Sequence, residues 1–293
     1  MNAPTELRSL ELITRLKREP SEHKGNAGKV LLIGGAPGMA GALMLSGSAA
    51  LHLGTGWTIL EMLDPTSAHA MPEQPELMVR LASFNALEQL EATAPDVIAI
   101  GPGLGFSALA RDWLTAVLKY PKVPLVIDAD ALNLIADTPE FLNLLKQRNQ
   151  ISPGMTVLTP HPGEAANLLN TSAGVVQENR LTALSNLVAL TNCIVVLKGQ
   201  HTLIASPLQQ AVLCKEGNPG MAVGGMGDVL TGAIAAIAAQ GIRHQINLWE
   251  ASCLGVQLHA SAADSLVAQK IGPIGLTPTE VILEMRSLLN KLL

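Results

Sequence analysis

Short aliphatic runs of strand length alternate with helix-length stretches along most of the chain. Residues 29–34, 58–62, 97–100, 125–128, 156–158 and 194–197 are mainly apolar, most of them dominated by Val, Leu, Ile and Ala. Strands that lack polar alternation are covered on both faces, as in a parallel sheet. Residues 43–53, 108–118 and 178–190 have helical composition and lie between or beside these runs, which predicts βαβ units. Residues 202–205 and 211–214 predict a short hairpin after the parallel series. The last third predicts helices over 228–239, 248–267 and 278–292. No linker, repeat or low-complexity segment interrupts the pattern. The expectation is therefore one α/β domain over residues 1–293, with a central, mostly parallel sheet flanked by helices on both faces and a mainly helical C-terminal third.

Composition narrows the classes of function. Hydrophobic residues make up 48% of the 293, aromatics 2% and charged residues 15%. So few rings leave no stacking platform for bases, and a net charge of −5 without a basic run leaves no footprint for duplex phosphates. No nucleic-acid partner is expected. The most apolar stretch, residues 229–239, is shorter than the roughly 20 residues a membrane span needs, so no membrane partner is expected either. The first twenty residues mix charge with leucine, unlike a secretory signal. Cys193, Cys214 and Cys253 are odd in number and sit in apolar context, which fits a reducing compartment. A cytoplasmic location follows as an expectation.

Glycine-rich and polar segments follow the strand candidates one after another. Gly34-Gly35 follows the first, Gly101-Pro102-Gly103-Leu104-Gly105 the third, Asp128-Ala129-Asp130 the fourth, Thr159-Pro160-His161-Pro162-Gly163-Glu164 the fifth and Lys198-Gly199 the sixth. In open α/β sheets ligands bind beyond the carboxyl ends of the strands, so these segments predict one site.

The strongest constellation is Gly224-Gly225-Met226-Gly227-Asp228 at the start of an apolar helix. Glycines let backbone N–H groups close on an anion, and the helix N-terminus adds partial positive charge. Asp228 beside that hole is a candidate base for an attacking hydroxyl, and equally a candidate helix cap. Lys198, Gly199, Gln200, His201 and Thr202 read as a phosphate-chain clamp or as a solvated turn. Glu164 reads as a water-mediated magnesium ligand or as a cap for the next helix, and His161 as a substrate contact. Asp128 and Asp130 position a ligand or metal, or serve strand-end bonds and a cap.

Taken together the motifs resemble the ADP- or ATP-dependent NAD(P)H-hydrate dehydratase family of the ribokinase-like superfamily. They are HKGNAGKVLLIGG from His23, AGALMLSGSAALHLGTG from Ala40, GPGLG, DADALN, TPHPGEAANLL, KGQHT and GNPGMAVGGMGDVLTG. They cover about residues 20–270, and the order TPHPGE, KGxxT, NPGMAxGGxGD is highly specific.

The resemblance implies a ribokinase-like fold and repair of hydrated NADH or NADPH. In that reaction ADP or ATP, with Mg2+, phosphorylates the ring hydroxyl and loss of phosphate restores the dihydronicotinamide. It implies Asp228 as base on that hydroxyl, and nucleotide binding by Lys198, Gly199, Gln200, His201, Thr202, Asn218, Gly224, Gly225 and Gly227. Ala42, Gly103, Gly105, His161 and Asp228 correspond to substrate contacts, with Glu164 holding the metal through water. Family analogy also implies a homotetramer, and a separate epimerase acting alongside.

His161 stands where many superfamily kinases have Asn, which favours the dehydratase over a kinase of a vitamin-precursor alcohol, the alternative with the same loop. A non-catalytic nucleotide sensor would use the same cradle. Met226 stands where a small residue is frequent, which bears on the loop's shape.

Overall fold

A computed structural model describes residues 3–69, 74–121 and 123–293. Its strands are β1 (Thr5–Glu6), β2 (Lys29–Gly34), β3 (Trp57–Met62), β4 (Met78–Leu81), β5 (Val97–Ile100), β6 (Leu125–Ile127), β7 (Thr156–Leu158), β8 (Ile194–Leu197), β9 (Leu203–Ala205) and β10 (Val212–Leu213). Its helices are α1 (Ala40–His52), α2 (Pro65–Ala68), α3 (Ala86–Thr93), α4 (Ala108–Leu118), α5 (Ala129–Asp137), α6 (Pro139–Ile151), α7 (Pro162–Leu168), α8 (Ala173–Glu178), α9 (Arg180–Thr191), α10 (Met226–His244), α11 (Leu248–Ala268) and α12 (Pro278–Leu292), with 3-10 turns at Leu10–Leu16 and Pro219–Met221.

The strands form one sheet in the order β1-β10-β9-β8-β7-β6-β5-β2-β3-β4. Strands β2 to β8 pair in parallel, and β9 runs against both β8 and β10. The aliphatic runs explain why. Val30 and Leu32 of β2 point into one core and Leu31 and Ile33 into another. Val126 and Ile127, or Val196 and Val195, divide in the same way. The inner strands β2, β3 and β5 to β9 therefore feed both layers through their two-residue period. One layer holds α1, α10, α11 and α12, the other α3 to α9.

Several boundaries differ from expectation. The helix expected over 178–190 is α9, which starts two residues later because Asn179 leaves the helical region at φ −143 and caps it through the Thr182 N–H; the short α8 before it was not expected. Helix α10 runs on past Ala239 to His244. Gln240 donates to Leu53 O and Ala236 O, which lets a polar side chain be buried within the helix.

Candidate active site

The chain reverses direction across the sheet between β2, which leads to β3 on one side, and β5, which pairs on its other side. The loops leaving these two strands dock on each other. Gly35 N–H donates to Pro102 O at 3.1 Å and Ala36 N–H to Gly103 O at 2.7 Å. A Cβ on Gly34 would lie 2.0 Å from Pro102 O, so only glycine permits the approach. A Cβ on Gly103 would lie 3.3 Å from the Ala42 methyl, which puts two of the expected substrate positions side by side. Gly105 N–H donates to Asp130 Oδ2 at 2.9 Å and joins the next strand's loop to the same edge.

Asp128 anchors the centre. It is 1% exposed and does not cap α5 with its side chain. Its Oδ1 takes the Lys198 ammonium at 2.6 Å and its Oδ2 the Thr231 hydroxyl at 2.8 Å. Lys198 also faces Glu164 Oε2 at 3.8 Å. Burial alone would lower the Lys198 pKa, but the carboxylates of Asp128, Glu164 and Asp228 outweigh it and raise the value, so the ammonium stays charged. The Lys198 backbone is held from behind. Arg180 donates to Leu197 O at 3.0 Å and to Lys198 O at 3.2 Å.

Asp228 is the third residue of α10, whose N-cap is Gly225 in the left-handed region at φ 96. The cap position is thus already filled by a glycine, and the Asp228 carboxylate makes no capping bond. Ser46 Oγ donates to the Asp228 carbonyl at 2.8 Å and fixes its turn against α1. Burial first, then the Asp128 charge, pushes the Asp228 carboxyl up to about 7. The N–H groups of Gly227 and Asp228 have no backbone acceptor in the preceding loop, as the first turn of a helix leaves them. A Cβ on Gly227 would stand 3.2 Å from Lys198 Nζ. Met226 does not intrude, because its side chain is 5% exposed and packed in the core, so only its backbone borders the loop.

Around this centre, His161 and Glu164 form a capping box for α7. His161 Nδ1 accepts from the Gly163 and Glu164 N–H groups, and Glu164 Oε2 accepts from the His161 N–H at 2.7 Å. The capping role and proximity to Lys198 coexist. Burial, against a lowering by Lys198, pushes the Glu164 carboxyl up to about 7. Burial and the Lys198 charge lower the His161 pKa. Gly199, Gln200 and His201 are exposed and Thr202 is half-buried, with Thr202 Oγ1 donating to Gly199 O at 3.1 Å. Asn218 caps the Pro219–Met221 turn and is tied to Asp264 of α11.

The reading from sequence missed Arg180 and Asp264, and it left open a capping role that the Asp128 side chain does not fill. A polar residue inside the apolar run of α11 was the available signal for Asp264. His259 of α11 is 6% exposed with an unpartnered Nε2, and burial lowers its pKa to about 4. The HKGNAG segment lies at the other end of the sheet, before β2, where a Cβ on Gly56 would meet Lys24 O at 1.8 Å.

The geometry suits a phosphate chain with a divalent cation. Gly227 leaves open the space that a Cβ would fill beside Lys198, and unpaired helix N–H groups border it. Among the described residues no three His, Cys, Asp or Glu side chains are grouped to hold a metal by themselves. Magnesium bound to nucleotide phosphates needs only one or two carboxylates and keeps its waters, and Asp128, Glu164 and Asp228 bring excess negative charge to such a position.

Residues 30–286 match the sequence model of the NAD(P)H-hydrate dehydratase family. A bifunctional NAD(P)H-hydrate repair enzyme of Coxiella burnetii is 40% identical over 275 residues, covering 94% of this chain and 53% of that protein. The chain thus spans about half the length of such bifunctional relatives. An ADP-dependent (S)-NAD(P)H-hydrate dehydratase of Neisseria meningitidis is 36% identical over 280 residues, covering 94% and 89%. The ADP/ATP-dependent NAD(P)H-hydrate dehydratase of Bacillus subtilis, co-crystallized with ATP and Mg2+, superposes with a TM-score of 0.84 at 28% identity over 100% of both chains. A ribokinase of Thermotoga maritima, 13% identical with a TM-score of 0.54 over 88% and 99% of the two chains, shares the fold alone. The ribokinase-like chain described above belongs to the NAD(P)H-hydrate dehydratase family.

Proposed function

We propose that this chain carries out ADP-dependent dehydration of hydrated NADH and NADPH, acting as one domain over residues 1–293. The observation that carries the reading is Asp228, a half-desolvated carboxylate with a pKa of about 7, set beside the unpaired N–H groups of α10 and the Lys198 ammonium. When bound, ADP with Mg2+ supplies the phosphoryl group and spreads its charge.

The remaining work falls to side chains and backbone of this chain. Asp228 takes the proton from the ring hydroxyl as that oxygen bonds to phosphorus and the bond from that phosphorus to the departing nucleoside monophosphate breaks; loss of the phosphate with a proton of the neighbouring ring carbon then restores the double bond. Gly224, Gly225 and Gly227 offer N–H groups to the transferring phosphoryl oxygens, and Lys198 adds its charge. Gly199, Gln200, His201, Thr202 and Asn218 hold the nucleotide. Ala42, Gly103, Gly105 and His161 line the dinucleotide side. Glu164 would help hold the metal through water, its oxygens already meeting the His161 N–H and ring. The neutral His161 ring suits contact with an uncharged part of the substrate.

We also propose a homotetramer, a cytoplasmic location and a functional pairing with an epimerase. Among the described residues no helix is long and apolar enough to cross a membrane.

The test is recovery of the dihydronicotinamide absorbance band from hydrated NADH with ADP and Mg2+, repeated with ATP. Recovery supports the dehydratase. A stable phosphoester without recovered NADH makes the chain a kinase of an alcohol. Nucleotide binding with neither product makes it a sensor.

A further inference from the structure

Helix α11 is apolar over most of its length, yet Gln257 and Asp264 lie seven residues apart and so share one face. Both reach the segment that leads from β10 into the Pro219–Met221 turn. Gln257 Nε2 donates to Glu216 Oε1 at 2.8 Å. Asp264 takes the Gly217 N–H on Oδ2 at 2.8 Å and the Asn218 side-chain amide on Oδ1 at 2.9 Å. With its amide nitrogen so fixed, Asn218 turns Oδ1 to the Gly220 N–H at 3.0 Å and closes the turn.

Packing holds this loop only at Met221, which is partly buried against the core. No residue of Pro219–Met221 is fully buried, and Gly217 stands at φ 106, a conformation that relies on glycine. The shape of its Gly217–Gly220 portion therefore rests on directed bonds. A carboxylate suits the position because it can receive two donors at once, whereas an amide at 264 would present its own NH2 to one of them. Gly220 adds a close contact, since a Cβ there would lie 2.7 Å from Pro273 O.

We infer that Asp264 is the positioning residue of the nucleotide loop. It orients Asn218, and through it the turn at Pro219–Met221, without touching the nucleotide. The inference rests on the assignment of Asn218 to nucleotide binding made above. Gln257 anchors the same limb one step earlier. It accepts from the Ser9 N–H at 2.7 Å and donates to Leu7 O at 3.3 Å, which ties the N-terminal segment to the limb as well.

The experiment measures ADP affinity of the full chain by calorimetry for the wild type, Asp264→Asn, Asp264→Ala, Asn218→Ala and the double alanine variant, with the melting temperature of each recorded. Loss of charge-assisted bonds of this kind predicts ADP binding weakened by about tenfold or more in Asp264→Ala, with KM for ADP rising in step and kcat at saturating ADP changed by less than about threefold. The double variant should bind no more weakly than Asn218→Ala, because the two residues act through one turn. Asp264→Asn, which keeps one acceptor, should fall between wild type and Asp264→Ala.

Folded Asp264 variants that bind ADP like the wild type overturn the inference, even if they melt earlier. Additive losses in the double variant overturn it too. A wild type that fails to bind ADP instead removes the nucleotide reading of the whole site.

Discussion

Lys198 holds its ammonium 2.6 Å from Asp128 while bordering the space left by the absent Cβ of Gly227. One cation thus joins a buried carboxylate to the proposed phosphate cradle. Gly227 is helical and has no positive φ, so alanine fits its backbone. We expect Gly227→Ala to fold with a melting temperature near wild type while ADP-dependent turnover falls by about a hundredfold, the scale of losing one oxyanion donor. Steady-state kinetics beside a thermal melt checks this. Wild-type turnover in a folded variant would place the phosphoryl group elsewhere.

Asp228→Asn removes the proposed base and leaves the cradle. Turnover is expected to fall by at least about a hundredfold, while calorimetry still finds ADP bound. Retained turnover would take Asp228 out of the mechanism.

The pH dependence has a definite sign. A base with a pKa pushed up to about 7 is protonated below that value, so kcat/KM should fall as pH drops through 7. Stability moves the other way. The folded pKa of Asp228 lies above its ordinary value of 3.8, so the group favours the fold at low pH and that contribution is lost as pH rises through about 7. The ligand-free Asp228→Asn protein should therefore melt higher than wild type above pH 7, and no differently near pH 4. Melts across that range would show the opposite order if the carboxylate were stabilised by its neighbours.

Lys198→Met leaves Asp128 buried with only Thr231 as donor. Breaking a buried pair from one side costs about 3–5 kcal/mol, and the Thr231 bond should hold the loss at or below the lower figure. Urea unfolding at neutral pH measures it. Lys198→Met combined with Asp128→Asn should recover part of the loss, because no unpaired charge remains.

The aliphatic strands were legible because they are buried on both faces and therefore carry few polar residues to blur them, Glu61 of β3 being the charged exception within a buried run. Strand β4 was not, since Met78, Arg80 and Leu81 are exposed at the sheet's edge and Val79 only half-buried. A two-residue strand such as β1 carries no period at all. The site divides in the same manner. Asp228 and Lys198 stand in local glycine-rich contexts that announce close backbone approach. Asp264 and Asp128 act on partners 46 and 70 residues away, and nothing in local spacing records such a meeting. Arg180 was hidden because it acts on backbone carbonyls, which every residue has.

Helices α1 and α10 meet at Gly232, where a single added carbon would stand 2.0 Å from the Ser46 carbonyl oxygen. Ala42 at one end of α1 and Asp228 at the start of α10 are thereby parts of one stiff bracket rather than two walls free to slide. The gap between Ala42, a proposed substrate contact, and Asp228, the proposed base, is thus set by the thickness of two bare backbones. A methyl group at 232 would act as a wedge at the fulcrum of that bracket, altering reach at the site from a position buried between the two helices.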